Sequence, residues 1–401
     1  SKMRAGKFEE GEHVLRAKIN MTSPNMLLRD PVMYRIINKS HQRTLKKWCI
    51  YPMYDWAHGQ SDFIEKISHS LCTLEFKPHR DLYEWFLYAL GPNLENAPKQ
   101  REFARLNLSH TITSKRKLKR LIDEGHVNGW DDPRMPTISG LRKRGYTPES
   151  LKKFVRTAGV AKRENIIELS LLEFCIREHL NKISPRIMAV LDPIKIIIEN
   201  YPVGKEEQLI GKINPEDPSE GTRKIPFSKE LFIEKEDFQE QTGESFFRLS
   251  LGNEVRLKNA YIIKAKEVIR DEEGNIKHII CNYDYLSKSG TGSIESKRKV
   301  KSTIHWVCSK KANEIIVNQY DTLFLVPDPD KQEDFIKHLN PNSLIKKNGF
   351  IEPYGASLKP GQRVQFQRQG YFIAEKTKQD GKIVFNKTTG LRDSFKQKKK
   401  A

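Results

Sequence analysis

The sequence predicts a multidomain chain with α/β and all-β parts: a short βα segment, a mostly helical segment, and a C-terminal half of antiparallel strands. Three observations carry that class. The chain has 401 residues, 37% of them hydrophobic, enough for packed cores in two or three domains. Residues 48–110 alternate short apolar runs with helical patterns, with too few strands for a complete doubly wound sheet. From Pro185 onward the apolar period falls to two. Short strands separated by turn residues then continue for about 210 positions, as in one or two barrels or a sandwich.

The elements follow in order. Residues 1–47 are polar and mixed, without a long periodic segment. Residues 48–54 read as a strand entering a loop. Residues 61–71 read as a helix, with Ser61 as N-cap and Phe63, Ile64 and Ile67 on one face. Residues 81–90 read as a second, stopped by Gly91-Pro92. Residues 111–184 look mostly helical. Thr147-Pro148-Glu149 places a cap outside and a proline in the first turn, and Gly159 ends that helix. Residues 165–180 give another amphipathic helix. Residues 254–268 and 276–285, joined by Glu272-Glu273-Gly274-Asn275, read as a hairpin. Residues 303–308, 314–320, 323–326, 363–366 and 371–374 are further strands, and 398–400 read as a frayed basic tail.

The formal charge is +20, and it is not a tail effect: residues 1–200 carry +12 and residues 201–401 carry +8. A basic excess on both halves points to a long polyanion, with nucleic acid first. No run of 18 apolar residues exists to span a membrane, and the first residues, Ser1 to Gly6, show no apolar secretory core. The five cysteines, Cys49, Cys72, Cys175, Cys281 and Cys308, are sparse and lack Cys-x-x-Cys spacing, which fits a reducing cytoplasm without a structural zinc. Cys175 and His179 lie four apart on a predicted helix, where packed core is the expected role. Gly290-Thr291-Gly292 has no predicted helix after it and is no phosphate fingerprint. Ser114-Lys115-Arg116-Lys117, between a strand-like 103–108 and a helix, reads as a mobile basic loop that could neutralise charge on a triphosphate attacked at its α-phosphorus. Gly129 to Thr137 reads as a proline-stiffened acidic loop.

These segments together resemble bacterial glutaminyl-tRNA synthetases, of class I. The resemblance is carried by Trp48-Cys49-Ile50-Tyr51-Pro52-Met53-Tyr54-Asp55, by the stretch from His69 to Phe76, by Gln100-Arg101-Glu102-Phe103 and by Arg105-Leu106-Asn107-Leu108. Ser114-Lys115-Arg116-Lys117, Gly129 to Gly145, Pro185 to Val190, Leu251 to Leu257 and Gly390-Leu391-Arg392-Asp393 continue it in the same order along the chain. The resemblance implies the tail of an acceptor-binding insertion over 1–47 and the second half of a Rossmann catalytic domain over 48–110. It implies a helical stem-contact subdomain over 111–184 and two anticodon-binding β-barrels over 185–401. The distal barrel would cover about 202–307, and the proximal one about 185–201 with 308–401.

The implied activity is ATP-dependent activation of glutamine and its transfer to the 3′ end of its tRNA, by a cytoplasmic monomer with Mg2+ entering on ATP. Ser114, Lys115 and Lys117 would act on the triphosphate, and Arg105 and the backbone near Leu106 would contact adenosine. Thr113 stands where the family has methionine. Tyr51 would bond the glutamine amide, with His58, Ser70, Cys72, Thr73, Phe76 and Gln100 around it. Neutral Cys72 favours glutamine, since the related glutamyl enzyme resembles it but carries arginine there, as a carboxylate would need. Arg186, Gln365 and Arg368 would read the central anticodon base, Arg248 the third and Lys258 the first, with Arg392 nearby. Lys258 replaces an arginine and loses its planar fork. Pro78 replaces an acidic residue directed at the acceptor stem. The family's His-x-Gly-His signature occurs nowhere in the sequence, and Lys2 to Gly6 resembles the late part of the insertion. The chain alone is therefore expected not to form adenylate and to need the preceding part for catalysis. A related glutamyl enzyme and a non-catalytic tRNA-binding module are the alternatives.

Overall fold

The computed structural model describes residues 1–91, 97–241 and 246–392. They divide into two compact units, Ser1–Asn107 with Gly159–Ile166, and Leu108–Ala158 with Ile167–Ala401.

In the first unit, Val14–Arg16, Val32–Ile36 and Ile50–Pro52 form an antiparallel sheet, two strands of which arise from the region read as aperiodic. His69–Thr73 pairs in parallel with Lys99–Phe103, and the helix Arg80–Leu90 lies between them in the chain as a βαβ crossover. That helix begins one residue before its expected start. It buries Leu82, Tyr83, Phe86 and Leu87, and Phe86 meets Trp56 edge-on at 5.0 Å. Its expected stop at Pro92 lies outside the described residues. The helix expected over 61–71 is absent. A helix runs earlier, Tyr54–Ile64, and the left-handed φ of +58° at Lys66 follows its end. Leu71 lies in a strand. Phe63, Ile64 and Ile67 are all exposed, so their spacing marks no buried stripe.

The second unit begins with helices Lys115–Asp123, Ile138–Arg144, Pro148–Ala158 and Leu169–Ile183. Thr137 caps the second, its Oγ1 accepting from the Gly140 N–H at 2.9 Å. Thr147 caps the third as expected, accepting from Ser150 N–H at 3.2 Å. The helix expected over 165–180 starts later because Ile166–Ile167 is extended. Leu323 and Phe324 do not form the expected strand. They fill a core with Leu118, Leu121 and Val127, and Phe324 makes only an isolated bridge to Leu339.

Two seven-stranded sheets follow among the described residues. The first runs Thr303–Ile304, Glu254–Leu257, Ile262–Arg270, Ile276–Asp284, Pro193–Ile198, Glu230–Glu234, Trp306–Cys308. Its two outermost members are one stretch of chain broken at His305, so the sheet nearly closes into a barrel. The second runs Arg186–Ile187, Arg363–Phe366, Gly370–Ala374, Ile383–Thr389, Asn313–Tyr320, Leu344–Ile351, Ala189–Val190. It closes in the same way, broken at Met188. The expected hairpin is Ile262–Arg270 with Ile276–Asp284. The strand expected over 254–268 is cut by a turn where Asn259 has φ +58°. Pro193–Ile198 hydrogen-bonds within the distal barrel, so the chain enters that barrel earlier than residue 202. The basic run at 398–400 lies outside the described residues. No helix among the described residues is long and apolar enough to cross a membrane.

Candidate functional site

In the first unit the register of the parallel pair sets Ser70 opposite Gln100 and Cys72 opposite Glu102. Ser70 is buried and donates to Asp62, and its hydroxyl lies 2.5 Å from that of Tyr83. Asp62 is 3.3 Å from His58 Nε2, one turn earlier on the same helix. Tyr54 bridges His58, at 5.1 Å between ring centroids, and Phe76, at 4.7 Å. Gln100 Nε2 donates to the Phe76 carbonyl and to Glu102 Oε1, each at 2.8 Å. Six of the seven residues expected around the amino acid thus lie on neighbouring elements. The seventh, Tyr51, has a buried hydroxyl with no hydrogen-bond partner, and its ring lies 6.3 Å from that of His41. A buried hydroxyl left unpaired is costly unless a ligand completes it.

The electrostatics of this cluster are those of a neutral pocket. Arg80 grips Glu102 with both Nε and Nη2. Burial would raise the Glu102 carboxyl, but hydrogen bonds from Arg80 and Gln100 outweigh it and hold it below its ordinary value. Burial, with Glu102 adding to it, pushes the Cys72 thiol up, so it stays uncharged. Arg80, Glu102, Asp62 and Tyr83 were not singled out in the sequence. The only signal for them is their placement on the elements that carry the expected residues.

Thr73 donates to Glu75 at 2.8 Å, and the other Glu75 oxygen accepts from Arg105 Nη2 at 2.9 Å. Leu106 is exposed. The basic segment is not a loop: Ser114 is an N-cap without a side-chain cap bond, and Lys115 opens the helix. The helix sets the direction in which the exposed Lys115 side chain leaves the backbone. Lys117 Nζ is already engaged, donating to the Asp330 carboxylate at 2.9 Å and its carbonyl at 2.7 Å. In the following acidic loop, Asp132 is buried and accepts from the Asn128 and Arg134 backbones and from the Arg134 guanidinium. Burial would raise it, but these bonds hold it below its ordinary range.

The second unit gathers five of the six residues expected at the anticodon in two clefts. One, of about 570 Å³, is lined by Arg186, Lys258, Gln365 and Arg368 together with Lys212 and Asn259. Four of the six residues expected to read bases converge there, and they come from both barrels. Gln365 Nε2 donates to the Tyr371 hydroxyl at 2.9 Å, and Arg186 Nη2 donates to Asn181 Oδ1 at 2.9 Å. A second cleft, of about 320 Å³, places Arg248 beside Phe246, Phe247, Lys264, Lys299 and Lys301. Phe247 is 55% exposed. An exposed aromatic ring among cations suits a stacked, single-stranded base. Phe247 was missed in the sequence, although its position next to Arg248 was the available signal. Arg392 is exposed and is not among the residues given for either cleft.

Cys175 is fully buried in a helical core, and His179 Nδ1 is 2.9 Å from Thr147 Oγ1. A single helical turn, Ile294–Lys297, follows Gly290-Thr291-Gly292, where no helix was expected. No group of three or more His, Cys, Asp or Glu side chains that could hold a metal is found among the described residues.

Comparison with known proteins matches residues 1–182 to the catalytic domain of class I tRNA synthetases (E and Q). Residues 184–284 and 303–375 match two anticodon-binding domain models of the same group. The chain is similar to the glutamine–tRNA ligase of Rhodopirellula baltica, at 53% identity over 396 residues, covering 98% of this chain and 65% of that protein. It is 49% identical over 397 residues to that of Clostridium kluyveri, covering 71% of it, and 51% identical over 397 residues to that of Vibrio parahaemolyticus, covering 70%.

Proposed function

The chain belongs to the glutaminyl-tRNA synthetase family of class I aminoacyl-tRNA synthetases, and on that premise we propose that it serves the ligation of glutamine to its tRNA, with the two barrels reading the anticodon. The observation that carries this reading is the cleft in which Arg186, Lys258, Gln365 and Arg368 converge. Splayed anticodon bases need planar guanidinium groups, amide edges and a cationic surround, and these residue types supply them.

In the first unit, the partnerless Tyr51 hydroxyl supports a role in bonding the glutamine amide. Cys72 is uncharged and Arg80 is already neutralised by Glu102, so neither offers a free positive charge to a carboxylate, which favours glutamine over glutamate. A site built to hydrogen-bond an amide rejects analogues that leave its groups unpaired. Ser114 and Lys115 would steady charge growing on the triphosphate, with Arg105 at the adenosine. Lys117, held by Asp330, would orient the helix that presents Lys115. Mg2+ would enter on the triphosphate oxygens, which are hard ligands of the kind it prefers.

Titrating the purified chain into a glutamine tRNA transcript tests the reading. Binding should weaken with salt by a slope of roughly −0.7 to −0.9 per phosphate contacted. Replacing a read base should cost about 1–3 kcal/mol. Equal affinity for unrelated anticodons would overturn the base-reading role. The same preparation should show no glutamine-dependent ATP–pyrophosphate exchange, because His-x-Gly-His is absent from its sequence. Exchange above background would refute that half.

A further inference from the structure

The two clefts meet at one carboxylate. Asp237 is fully buried at the end of the helical turn Lys235–Asp237. Arg368 donates to it from Nη1 to Oδ2 at 2.5 Å and from Nη2 to Oδ1 at 2.6 Å. Arg248 reaches the same Oδ1 through its Nη1 at 3.1 Å, and the Glu236 carboxylate at 3.2 Å. The backbone repeats the link: the N–H of Leu249, next to Arg248, donates to the Asp237 carbonyl at 3.0 Å. Arg368 belongs to the 570 Å³ cleft and Arg248 to the 320 Å³ cleft, so Asp237 touches one reader from each.

Arg368 is held with unusual firmness. Its φ is +69°, in the left-handed region that non-glycine residues occupy only when the surroundings enforce it. A guanidinium carries five N–H groups. Two go to Asp237, and a third is 3.2 Å from His305 Nδ1. What remains to meet a base is fixed in one plane. Burial would lower the Arg368 pKa, yet the Asp237 bonds and charge raise it overall, so the pair is electrostatically bound as well as geometrically.

We propose that Asp237 is a positioning residue that couples recognition of the central and third anticodon bases, so that the two clefts bind them cooperatively. The proposal rests on the reading of both clefts as base pockets. A matching base in the larger cleft accepts from the outer N–H groups of Arg368 and keeps its guanidinium in plane, so that Asp237 Oδ1 goes on serving Arg368 Nη2 and Arg248 Nη1 together, as it does in the structure. A mismatched base offers no acceptor there and crowds the guanidinium. The guanidinium then shifts on the carboxylate and takes Oδ1 away from Arg248, so the second cleft is disordered by an error in the first.

A double-substitution cycle on the RNA tests this without altering the protein. Four glutamine tRNA transcripts are titrated: unaltered, central base replaced, third base replaced, and both replaced. Cooperative reading predicts that the double replacement weakens binding at least about fivefold less than the product of the single effects. Asp237→Asn offers one oxygen instead of two, and should bring the cycle to additivity within about twofold. A purely structural Asp237 would instead weaken all four RNAs by one common factor and leave the non-additivity intact, which overturns the proposal. Additivity in the unaltered protein overturns it without any variant. If no single replacement changes affinity, the base-pocket reading itself has failed, and the coupling falls with it.

Discussion

The two barrels close in the same way and use the closing point differently. Each is completed by one strand broken at a single residue, His305 in the distal barrel and Met188 in the proximal one. Beside each break sits a buried glutamate. Glu352 accepts from the Met188 N–H at 3.2 Å and from Arg223 Nε at 2.6 Å, and the ion pair is sealed, with side chains 1% and 2% exposed. Glu234 accepts from the Leu191 and Asp192 N–H groups at 2.7 and 3.0 Å and from Gln369 Nε2 at 2.9 Å, and lies 3.5 Å from His305 Nε2. His305 in turn touches Arg368, whose side chain is 32% exposed at the cleft. The sealed pair ties the strand Thr222–Phe227 to the proximal barrel beside its break. The open network ends in a residue that can meet a ligand.

If that division is right, the two breaks should respond differently to mutation. Arg223→Met leaves the Glu352 carboxylate buried without a counter-charge, and should cost about 3–5 kcal/mol in urea denaturation. His305→Leu removes one acceptor from Arg368, which keeps Asp237, and the imidazole beside Glu234, which keeps its two backbone N–H donors and Gln369. It should cost about 1–3 kcal/mol in the same assay, and lower tRNA affinity as well. A His305→Leu loss as large as that of Arg223→Met, with unchanged affinity, would erase the distinction.

Acid should separate the barrels more gently. In the distal barrel Glu207 accepts from the Tyr201 and Tyr261 hydroxyls and from Lys288. Burial would raise its pKa, but those bonds bring it from 4.5 to about 2. A carboxyl lowered in the folded state stabilises above its unfolded pKa and loses that contribution as pH falls toward the folded value. In the proximal barrel the buried Tyr371 hydroxyl bonds neutral partners, Gln365 and Asn181. The distal barrel should therefore loosen first between pH 4.5 and about 2, seen as early loss of amide protection there. Glu207→Gln should flatten that pH dependence.

Much of this was legible in the sequence where local pattern and tertiary role agree. Arg363–Phe366 alternates polar and apolar residues and is a strand at its expected bounds. Pro148–Ala158 carries its own cap and is a helix as expected. Legibility failed where apolar residues serve something other than the nearest periodic face. Phe63, Ile64 and Ile67 look like a helix stripe and are exposed. Leu323 and Phe324 look like a strand and plug a helical core. The site behaved likewise. Arg186, Lys258, Gln365 and Arg368 follow from the family resemblance and share a cleft. Asp237 was not, because nothing local marks it: its partner Arg368 lies 131 residues away.

The single-residue break at Met188 has a consequence for how the chain is made. Arg186–Ile187 and Ala189–Val190 emerge early, but their partners are Arg363–Phe366 and Leu344–Ile351. Between them in the chain lie all of the distal strands from Pro193–Ile198 to Trp306–Cys308. The distal barrel is thus nested inside the proximal one, and can complete its hydrogen bonding while the proximal barrel still waits for its second edge. At roughly 5–20 residues per second of synthesis, the first proximal strands stand unpaired for about 10–40 s. The order of assembly is written into the connectivity: inner barrel first, outer barrel last.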